Sequence, residues 1–399
     1  MTQIVKIGNI STQIRGVSYS KSDAVSNMQE GYLPVLRANN IQEQGLILED
    51  FVYVPESKIS KKQRILAGDV IIAASSGSIS LVGKAASAKE DINAGFGAFC
   101  KILRPNTELV DPRYFANYFQ TQQYRQIISN LAAGANINNL KNEHLDDLEI
   151  PLPPLSEQRR IASILDQADV LRQKRQQAIE KLDQLLQATF IDMFGDPVSN
   201  PKGFEVKKLS EQVDLIQIGP FGTQLHQEDY IENGIPLINP SHIKNGKIVP
   251  NLKLSVSQLK YGELSQYHLK LHDVLLGRRG EMGRCAVVTQ NEVGWLCGTG
   301  SLFLRPNVEK INPFFLEMLL SSDSIKRYLE NVSQGQTMAN LNKTIVGSIP
   351  LIAPSIEIQN KFFLISEEIN KMKTELENSK NQVNNLFQSL QNHAFNGTL

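Results

Sequence analysis

An internal repeat constrains the fold of this chain more than any other feature of its sequence. Short segments in the first half of the 399 residues recur in the same order in the second half, displaced by about 200 positions. Matches in a fixed order at one displacement predict two copies of one structural unit rather than a single large domain. The matched pairs are GYLPVLRANNI (31–41) with NGIPLINPSHI (233–243), GDVIIA (68–73) with HDVLLG (272–277), KILRPN (101–106) with LFLRPN (302–307), AAGANINNLK (132–141) with SQGQTMANLNK (333–343), and EIPLPPLSEQRRI (149–161) with SIPLIAPSIEIQNKF (348–362).

Each copy changes character at a cluster of prolines. Before the cluster, short apolar runs are separated by Gly, Asn and Ser, a pattern typical of strands and turns. After Pro154 there is no glycine before Gly195, and after Pro354 there is none before Gly397, which favours one long helix per copy. The predicted fold class is therefore α+β. The predicted boundaries are globular domains at 1–152 and 197–352, and helical segments at 153–196 and 353–399.

The two helical segments carry a heptad pattern in which apolar residues alternate by three and four, with Arg175 and Ser379 as polar interruptions. The linker near residues 196–204 is too short to run back along a long helix, so the pattern predicts antiparallel pairing into a coiled-coil strut between two pseudo-symmetric domains. The alternative is that each helix packs on its own domain. The predicted pairing residues are Ile161, Ile164, Ala168, Leu171, Leu182 and Leu185 in the first helix and Ile365, Ile369, Met372, Leu376, Val383, Leu386 and Leu390 in the second.

Composition and charge argue against several classes of protein. The 41 Lys and Arg are balanced by 41 Asp and Glu, so we do not expect a basic arm or an acidic tail to be the main binding element of the chain. No apolar run approaches about 18 residues, which predicts no membrane span, and the first residues lack the plan of a signal peptide. Cys100, Cys285 and Cys297 are widely spaced, which argues against a disulfide framework or a structural zinc site. We therefore expect a cytoplasmic protein.

The motifs of several catalytic classes are missing from the sequence. It contains no P-loop, no H-E-x-x-H zinc motif and no G-x-S-x-G nucleophile motif. The run from Asn312 to Phe315 is close to the Asn-Pro-Pro-aromatic signature of adenine methyltransferases but lacks its second proline. Its counterpart in the first copy begins at Asp111, so Asn312 and Asp111 are predicted to cap helices with a proline in the first turn. We expect no catalysis, cofactor or metal in this chain.

Polar and aromatic turn residues in both copies are candidates for contact with DNA. A reader with two pseudo-symmetric heads suits a duplex, whose strands are related by two-fold axes. The run GRRGEMGR (277–284) places arginines on a glycine-rich loop, where they can pair with guanine edges or phosphates. The matching loop of the first copy carries serines, so the two heads would read different sequences. Each candidate can instead be an ordinary turn residue, and the arginine run a solvated turn. The candidates are Arg15, Tyr19, Arg37, Asn39, Asn40, Ser75, Ser76, Lys84, Gln217, Phe221, Thr223, Arg278, Arg279 and Arg284.

Over its whole length the chain resembles the specificity (S) subunit of Type I restriction–modification enzymes. The most specific segments are PLPPLSEQRRIASILDQAD (151–169) and FIDMFGDPVSNPKG (190–203). The second helix departs from the family pattern, because it begins PSIEIQNKF where PPLxEQxxI is expected. Further segments that carry the resemblance are GPFGTQLHQEDYIENGIPLINPSHI (219–243), GRRGEMGR (277–284), GQTMANLN (335–342) and AFNGTL (394–399).

The resemblance implies a division of labour among subunits. Two target-recognition domains would each read one half of a bipartite, asymmetric site in double-stranded DNA, across a non-specific spacer. Two adenine-methyltransferase (M) subunits would dock on the helices and carry S-adenosylmethionine, and motor-nuclease (R) subunits would use ATP and Mg. This chain would supply specificity and assembly. The alternatives are a stand-alone two-headed DNA-binding protein and the specificity subunit of a related restriction–modification type.

Overall fold

The computed structural model describes residues 3–42, 45–75, 81–134, 139–280, 282–333, 341–396 and 398, and of residues 132–134, 223 and 333 it describes the backbone alone. The chain forms two compact units. Unit 1 comprises residues 1–178 and 376–399, and unit 2 comprises residues 179–375. Two separate stretches of the chain therefore build unit 1, whereas one continuous stretch builds unit 2.

Unit 1 combines short strands with short helices and with parts of two long helices. The strands described in it are β1 (Gln3–Lys6), β2 (Ser11–Arg15), β3 (Tyr32–Leu36), β4 (Ile41–Gln42), β5 (Gly45–Leu46), β6 (Val52–Pro55), β7 (Val70–Ala73), β8 (Ala85–Ser87), β9 (Gly95–Phe96), β10 (Cys100–Pro105) and β11 (Glu149–Leu152). The helices are α1 (Pro112–Tyr118), α2 (Gln122–Gly134), α3 (Asn142–Asp146) and α4 (Leu155–Phe194), the last of which continues into unit 2.

Unit 2 repeats this composition. Its described strands are β12 (Val206–Lys208), β13 (Val213–Ile218), β14 (Tyr230–Ile231), β15 (Ile235–Ile238), β16 (Ile243–Lys244), β17 (Lys247–Ile248), β18 (Ser255–Val256), β19 (Val274–Gly277), β20 (Cys285–Val287), β21 (Leu296–Cys297), β22 (Ser301–Pro306) and β23 (Pro350–Ile352). The helices are α5 (Gln258–Glu263), α6 (Pro313–Ser321), α7 (Asp323–Ser333), α8 (Lys343–Gly347) and α9 (Ile356–Phe395), and α9 ends in unit 1. Within the described ranges, no helix is both long and apolar enough to cross a membrane.

The central sheet has the same strand order in both units. The order is β2-β10-β7-β8 in unit 1 and β13-β22-β19-β20 in unit 2, and neighbouring strands are antiparallel. Side chains alternate across this sheet, so Val70 and Ile72 lie in one apolar cluster and Ile71 in another. Both faces are buried, which is why these strands read as uninterrupted apolar runs in the sequence. The shared order confirms the predicted α+β repeat.

A buried glutamine near the start of each long helix fastens that helix to a shorter one. Gln158 in α4 accepts a hydrogen bond from the backbone N–H of Asp111 (2.8 Å), and Gln359 in α9 accepts the same bond from Asn312 (2.8 Å). Asp111 and Asn312 also cap α1 and α6, because each side chain accepts hydrogen bonds from two backbone N–H groups of the first turn. The two predicted helix caps are therefore confirmed.

The long helices pair antiparallel within each unit. The first half of α4 lies against the second half of α9 in unit 1, and the second half of α4 lies against the first half of α9 in unit 2. From one contact to the next, the residue numbers rise along α4 and fall along α9, which confirms the predicted antiparallel direction. The contacts are Arg172 Nε with Asn384 Oδ1 (3.0 Å) and Arg175 Nε with Ser379 Oγ (3.1 Å) in unit 1, and Lys373 Nζ with Asp183 Oδ1 (2.6 Å) and the rings of Phe362 and Phe190 (5.5 Å between centroids) in unit 2.

The seam between the helices differs from the predicted one at alternate positions. The structure keeps one set of predicted residues buried or half-buried: Ile161, Ala168 and Leu182 in α4, and Ile369, Leu376, Val383 and Leu390 in α9. Ile164 and Ile365 are half-buried as well. The prediction that Leu171, Leu185, Met372 and Leu386 pair the helices is wrong, because these side chains are exposed. The buried or half-buried residue lies one position later each time, at Leu165, Arg172, Leu186, Ser366, Lys373 and Phe387.

At two of these shifted positions the seam accepts a cation, Arg172 in α4 and Lys373 in α9. Arg172 stacks over the ring of Phe387 (4.5 Å to the centroid) while its Nε donates to Asn384, and Lys373 is paired with Asp183. Long aliphatic stems pack between the helices and the charged ends find partners, so a polar residue occupies a position that an apolar pattern assigns to its neighbour.

Each long helix ends in the core of a unit. Phe194, the last residue of α4, contacts Phe315 of α6 in unit 2, with ring centroids 4.6 Å apart. Phe395, the last residue of α9, contacts Tyr114 of α1 in unit 1 at 5.0 Å. Each unit therefore consists of one globular domain, the first half of the helix that follows it and the second half of the other long helix.

Candidate nucleic-acid interface

In unit 1, five loops meet at one end of the central sheet. We call this set loop edge 1, and it comprises residues 15–19, 36–40, 74–75, 97–99 and 139–142. Backbone hydrogen bonds join the loops directly, so their relative positions do not depend on long side chains. These bonds run from Val17 N to Phe96 O (2.7 Å), from Gly97 N to Leu36 O (2.8 Å), from Ser75 N to Phe99 O (3.0 Å) and from Leu140 N to Ala74 O (2.7 Å).

Unit 2 carries the same arrangement. We call it loop edge 2, and it comprises residues 217–222, 238–241, 278–280, 298–300 and 341–343. Three backbone bonds are equivalent to those of unit 1. Gly298 N donates to Ile238 O (2.8 Å) as Gly97 N does to Leu36 O, Arg278 N donates to Gly300 O (2.9 Å) as Ala74 N does to Phe99 O (2.8 Å), and Leu341 N donates to Arg278 O (3.1 Å) as Leu140 N does to Ala74 O. A further bond joins Gly219 N to Ser301 O (3.0 Å). The two loop edges therefore share one backbone scaffold.

A pair of glycines holds the loops of each edge in close contact. A Cβ atom on Gly16 would overlap the carbonyl group of Gly97, and a Cβ atom on Gly219 would overlap that of Gly298. Only glycine allows the backbones to approach so closely. These glycines therefore allow the two loops of each edge to meet.

Two predicted residues of loop edge 1 are held by one carboxylate. Arg37 donates through a terminal nitrogen to Asp50 Oδ2 (3.0 Å), and Asn39 donates through Nδ2 to the same oxygen (2.9 Å). Arg15 is exposed at the end of β2, and Tyr19 is half-buried, where burial raises the pKa of its hydroxyl. Arg15, Arg37 and Asn39 therefore present polar groups to solvent on one edge.

Asn40 has a different role from the predicted one. Its side chain is buried, its Nδ2 donates to the carbonyl groups of Ile47 (2.9 Å) and Glu49 (2.7 Å), and its Oδ1 accepts from Arg37 N (2.8 Å). Both amide donors are used inside the domain, so Asn40 shapes the turn and has no donor left for a base.

The remaining candidates of unit 1 are spread over the loop after β7. Ser75 lies on loop edge 1, where its backbone N–H donates to Phe99. Ser76 lies outside the described residues. Lys84 directly precedes β8 and lines a cleft with residues of α1, α2 and α4, so the structure does not bring its side chain together with Arg15 and Arg37.

The adjacent arginines of loop edge 2 differ in their surroundings. Arg278 is 8% exposed, and its Nε donates to the carbonyl group of Leu341 (2.9 Å). Burial and the neighbouring Arg279 lower the pKa of Arg278. Arg279 is exposed. Arg284 is half-buried and donates to Pro240 O (3.2 Å). The prediction that Arg278 reads DNA is therefore replaced by a positioning role, and Arg279 presents its guanidinium to solvent.

The other candidates of unit 2 lie beside the glycine pair. Gln217 donates through Nε2 to the Ile218 carbonyl (3.0 Å) and accepts from Lys343 Nζ (3.2 Å), so its amide is largely engaged within the unit. Phe221 is 66% exposed two residues after Gly219. The side chain of Thr223 lies outside the described residues.

Three residues on or beside these edges were missed by sequence reasoning. Phe99 is 69% exposed. Lys101 lies directly across the sheet from Arg15; burial lowers its pKa, Asp146 opposes this, and Arg15 adds to it. Lys343 is exposed at the start of α8. The only signal in the sequence was the position of each residue beside a repeated segment, because an isolated lysine or phenylalanine there reads as ordinary surface or core.

The two loop edges have one backbone and different side chains. The hydrogen bond from Ala74 N to Phe99 O (2.8 Å) in unit 1 corresponds to the bond from Arg278 N to Gly300 O (2.9 Å) in unit 2. Unit 1 has Ala74 where unit 2 has Arg278. Unit 1 has the exposed Phe99 where unit 2 has Gly300. Edges of this design can present distinct chemistry to distinct ligand surfaces without changing the fold.

Comparisons with known proteins agree with this repeated design. The family model of the Type I restriction modification DNA specificity domain matches residues 2–181 and again residues 201–385. The EcoKI specificity subunit of Escherichia coli (strain K12) is 30% identical over 416 residues, covering 99% of this chain and 89% of the relative. The StySPI specificity subunit of Salmonella potsdam is 29% identical over 413 residues, covering 98% and 88%.

Solved structures show the same fold. A chain from a study of complex assembly and conformational transition of the type I R-M system superposes with a TM-score of 0.59 at 19% identity, covering 100% of this chain and 98% of the other. The S subunit of the Type-I restriction-modification system from M. genitalium superposes with a TM-score of 0.56 at 17% identity, covering 99% and 96%. With two matched specificity domains and relatives aligned over nearly its whole length, this chain belongs to the family of Type I restriction–modification DNA specificity subunits.

Proposed function

We propose that loop edge 1 and loop edge 2 each read one half of a bipartite, asymmetric DNA site. The observation that carries this proposal is the shared backbone of the two edges with different exposed side chains, such as Phe99 in one and Arg279 in the other. Exposed Arg15 and Lys343 add charge for phosphate contacts, which position a protein on the duplex without reading sequence. Different side chains on equivalent scaffolds favour an asymmetric site over a palindrome.

The paired helices supply the surface for partner subunits in this proposal. Leu171 and Leu386 are exposed on the helix pair of unit 1, at 48% and 55%. Their counterparts in the repeat, Met372 and Leu185, are exposed on the helix pair of unit 2. An exposed apolar strip on a soluble protein marks an interaction site. We call Leu171 and Leu386 the outer strip of unit 1, and Leu185 and Met372 the outer strip of unit 2. Because each unit carries one outer strip, the chain can bind two identical partners, one on each unit.

We assign those partners as two adenine-methyltransferase subunits, with motor-nuclease subunits joining the assembly. The partners would bind S-adenosylmethionine, ATP and Mg and perform methylation and cleavage, and the chain itself would select the site. One structural neighbour comes from work on complex assembly of the type I R-M system, which supports a multi-subunit context. We expect this complex to work in the cytoplasm.

The test is the methylated sequence motif of the complex formed with the methyltransferase partner. Arg279→Ala should relax the motif at a position in one half only, because a bidentate arginine–guanine contact contributes about 1–3 kcal/mol of discrimination. The matched variant Arg15→Ala, on the other loop edge, should leave that half unchanged. Methylome sequencing of cells expressing each complex gives the motif directly.

Two results would contradict the proposal. If Arg279→Ala relaxes both halves equally, the loop edges do not read separate half-sites. If neither variant changes the motif or the affinity for DNA, the reading surface lies elsewhere on the two units.

A further inference from the structure

Phe99 is displayed to solvent on a rigid turn. The residue is 69% exposed, although burial of a phenylalanine side chain is worth about 1.5–3 kcal/mol. Its carbonyl oxygen accepts hydrogen bonds from the backbone N–H groups of Ala74 (2.8 Å) and Ser75 (3.0 Å), and the turn is closed by a bond from Cys100 N to Gly97 O (2.8 Å). The loop therefore holds an apolar ring outward in one place.

Unit 2 shows that the shared fold does not need this ring. The equivalent residue there is Gly300, whose carbonyl accepts the equivalent bond from Arg278 N (2.9 Å). Beside it, unit 2 exposes the guanidinium of Arg279 where unit 1 has Ser75. At neighbouring points of the same scaffold, one unit offers an apolar ring and the other a cation.

These two side chains suit different base edges in the major groove. A guanidinium matches the O6 and N7 acceptors of guanine, whereas an apolar ring matches the 5-methyl group of thymine. Arg15 and Lys101 lie opposite each other on neighbouring strands beside Phe99, where they can meet phosphates that flank the groove. Arg15 and Lys101 would contact phosphates, which leaves the apolar ring to contact the methyl group.

We propose that Phe99 is a specificity-determining residue of unit 1 and contacts the 5-methyl group of a thymine in the half-site that this unit reads. This inference rests on the proposed function and names the base chemistry at one position.

The experiment uses the complex of the full chain with its methyltransferase partner. Once the wild-type motif is known, competition binding compares the natural duplex with duplexes in which each thymine in turn is replaced by deoxyuridine, which lacks the methyl group. We expect one replacement, in one half only, to weaken binding about fourfold, the factor that corresponds to about 0.8 kcal/mol per buried carbon. The Phe99→Ala complex should bind both duplexes equally.

Phe221→Ala is the matched control, since Phe221 is equally exposed on the other loop edge. That variant should keep the wild-type preference for thymine at the Phe99 position. Thermal unfolding of Phe99→Ala should match that of wild type, because little of the ring is buried.

Several outcomes would overturn the proposal. They are a half-site without thymine in either strand, a wild-type complex that ignores every deoxyuridine, and a Phe99→Ala complex that keeps the preference or loses affinity for all duplexes alike. A complex that shows no sequence preference at all would instead contradict the proposed function, so the two failures can be told apart.

Discussion

Arg278 and Arg279 are neighbours in the chain, but the first is buried within unit 2 and the second is exposed to solvent. Arg278 is buried and closes a two-way contact with Leu341, donating through Nε (2.9 Å) and accepting the N–H of Leu341 at its own carbonyl (3.1 Å). Arg279 stands in solvent. In unit 1, Asn40 and Asn39 divide in the same way, one inside the turn and the other at the surface. At residue scale, burial therefore decides which of two adjacent polar groups can meet DNA.

This division predicts opposite effects of two single substitutions. Arg278→Ala leaves the buried carbonyl of Leu341 without its side-chain donor, which costs about 1–3 kcal/mol. The variant should unfold at a lower temperature and lose order in the loop after β19. Arg279→Ala should unfold like wild type and change only DNA binding.

Differential scanning calorimetry of the full chain and motif determination with the partner check both substitutions. If Arg278→Ala unfolds like wild type and shifts the motif, Arg278 reads DNA and the positioning role is wrong.

At the scale of elements, α4 and α9 each present two stripes. The seam stripe contains cations that pair across the helices, as Arg172 and Lys373 do. The outer stripe contains leucines and a methionine that meet solvent. Polar seam contacts specify direction and register at the expense of stability, and an apolar outer stripe favours a bound partner. The arrangement suits a helix pair that functions inside an assembly.

Charging one outer strip should remove one partner subunit. The double variant Leu171→Glu/Leu386→Glu alters the strip of unit 1, and Leu185→Glu/Met372→Glu alters that of unit 2. Each should lower the number of bound methyltransferase subunits from two to one, because a buried carboxylate at the interface lacks a partner. Native mass spectrometry of the reconstituted complex counts the subunits.

Val308→Glu provides the control, since Val308 is 58% exposed and lies outside the long helices. That variant should bind both subunits. If either strip variant also binds both, the methyltransferase docks elsewhere on the chain.

At the scale of the whole chain, both long helices pass from one unit into the other. The boundary between units falls after residue 178 in α4 and after residue 375 in α9, and both helices are continuous through it. The polar contact between Arg175 and Ser379 lies close to this boundary. If each unit reads one half-site, as proposed, we expect the length of these helices to set the spacer between half-sites.

Lengthening both helices should widen the recognised spacer. Four residues added after Arg175 and four after Ser379 add about 6 Å at about 1.5 Å per residue. Since B-DNA rises about 3.4 Å per base pair, the spacer should grow by one or two base pairs while both half-site sequences stay the same. A four-residue insertion locally unwinds a coiled coil without destroying it, and the polar contact there should ease the change. Methylome sequencing reports the new motif.

Insertion into α4 alone is the control, because it shifts one helix against the other and should weaken binding at either spacing. Activity of the doubly lengthened complex at the original spacing only would show that the helices do not set the spacer.

The sequence by itself determined the repeat, the α+β class, the positions of the long helices, the caps at Asp111 and Asn312, and the family. These features are local or periodic, so proline, glycine and apolar spacing record them directly. Tertiary structure alone decided the rest. An apolar heptad pattern does not show which stripe faces the partner helix, so Arg172 displaced Leu171 from the seam only once Asn384 and Phe387 lay across from it. Likewise, the sequence does not show that Asn40 is buried with its amide bound to the carbonyl of Ile47 while Phe99 is left 69% exposed, because burial depends on how the folded loops pack around each side chain.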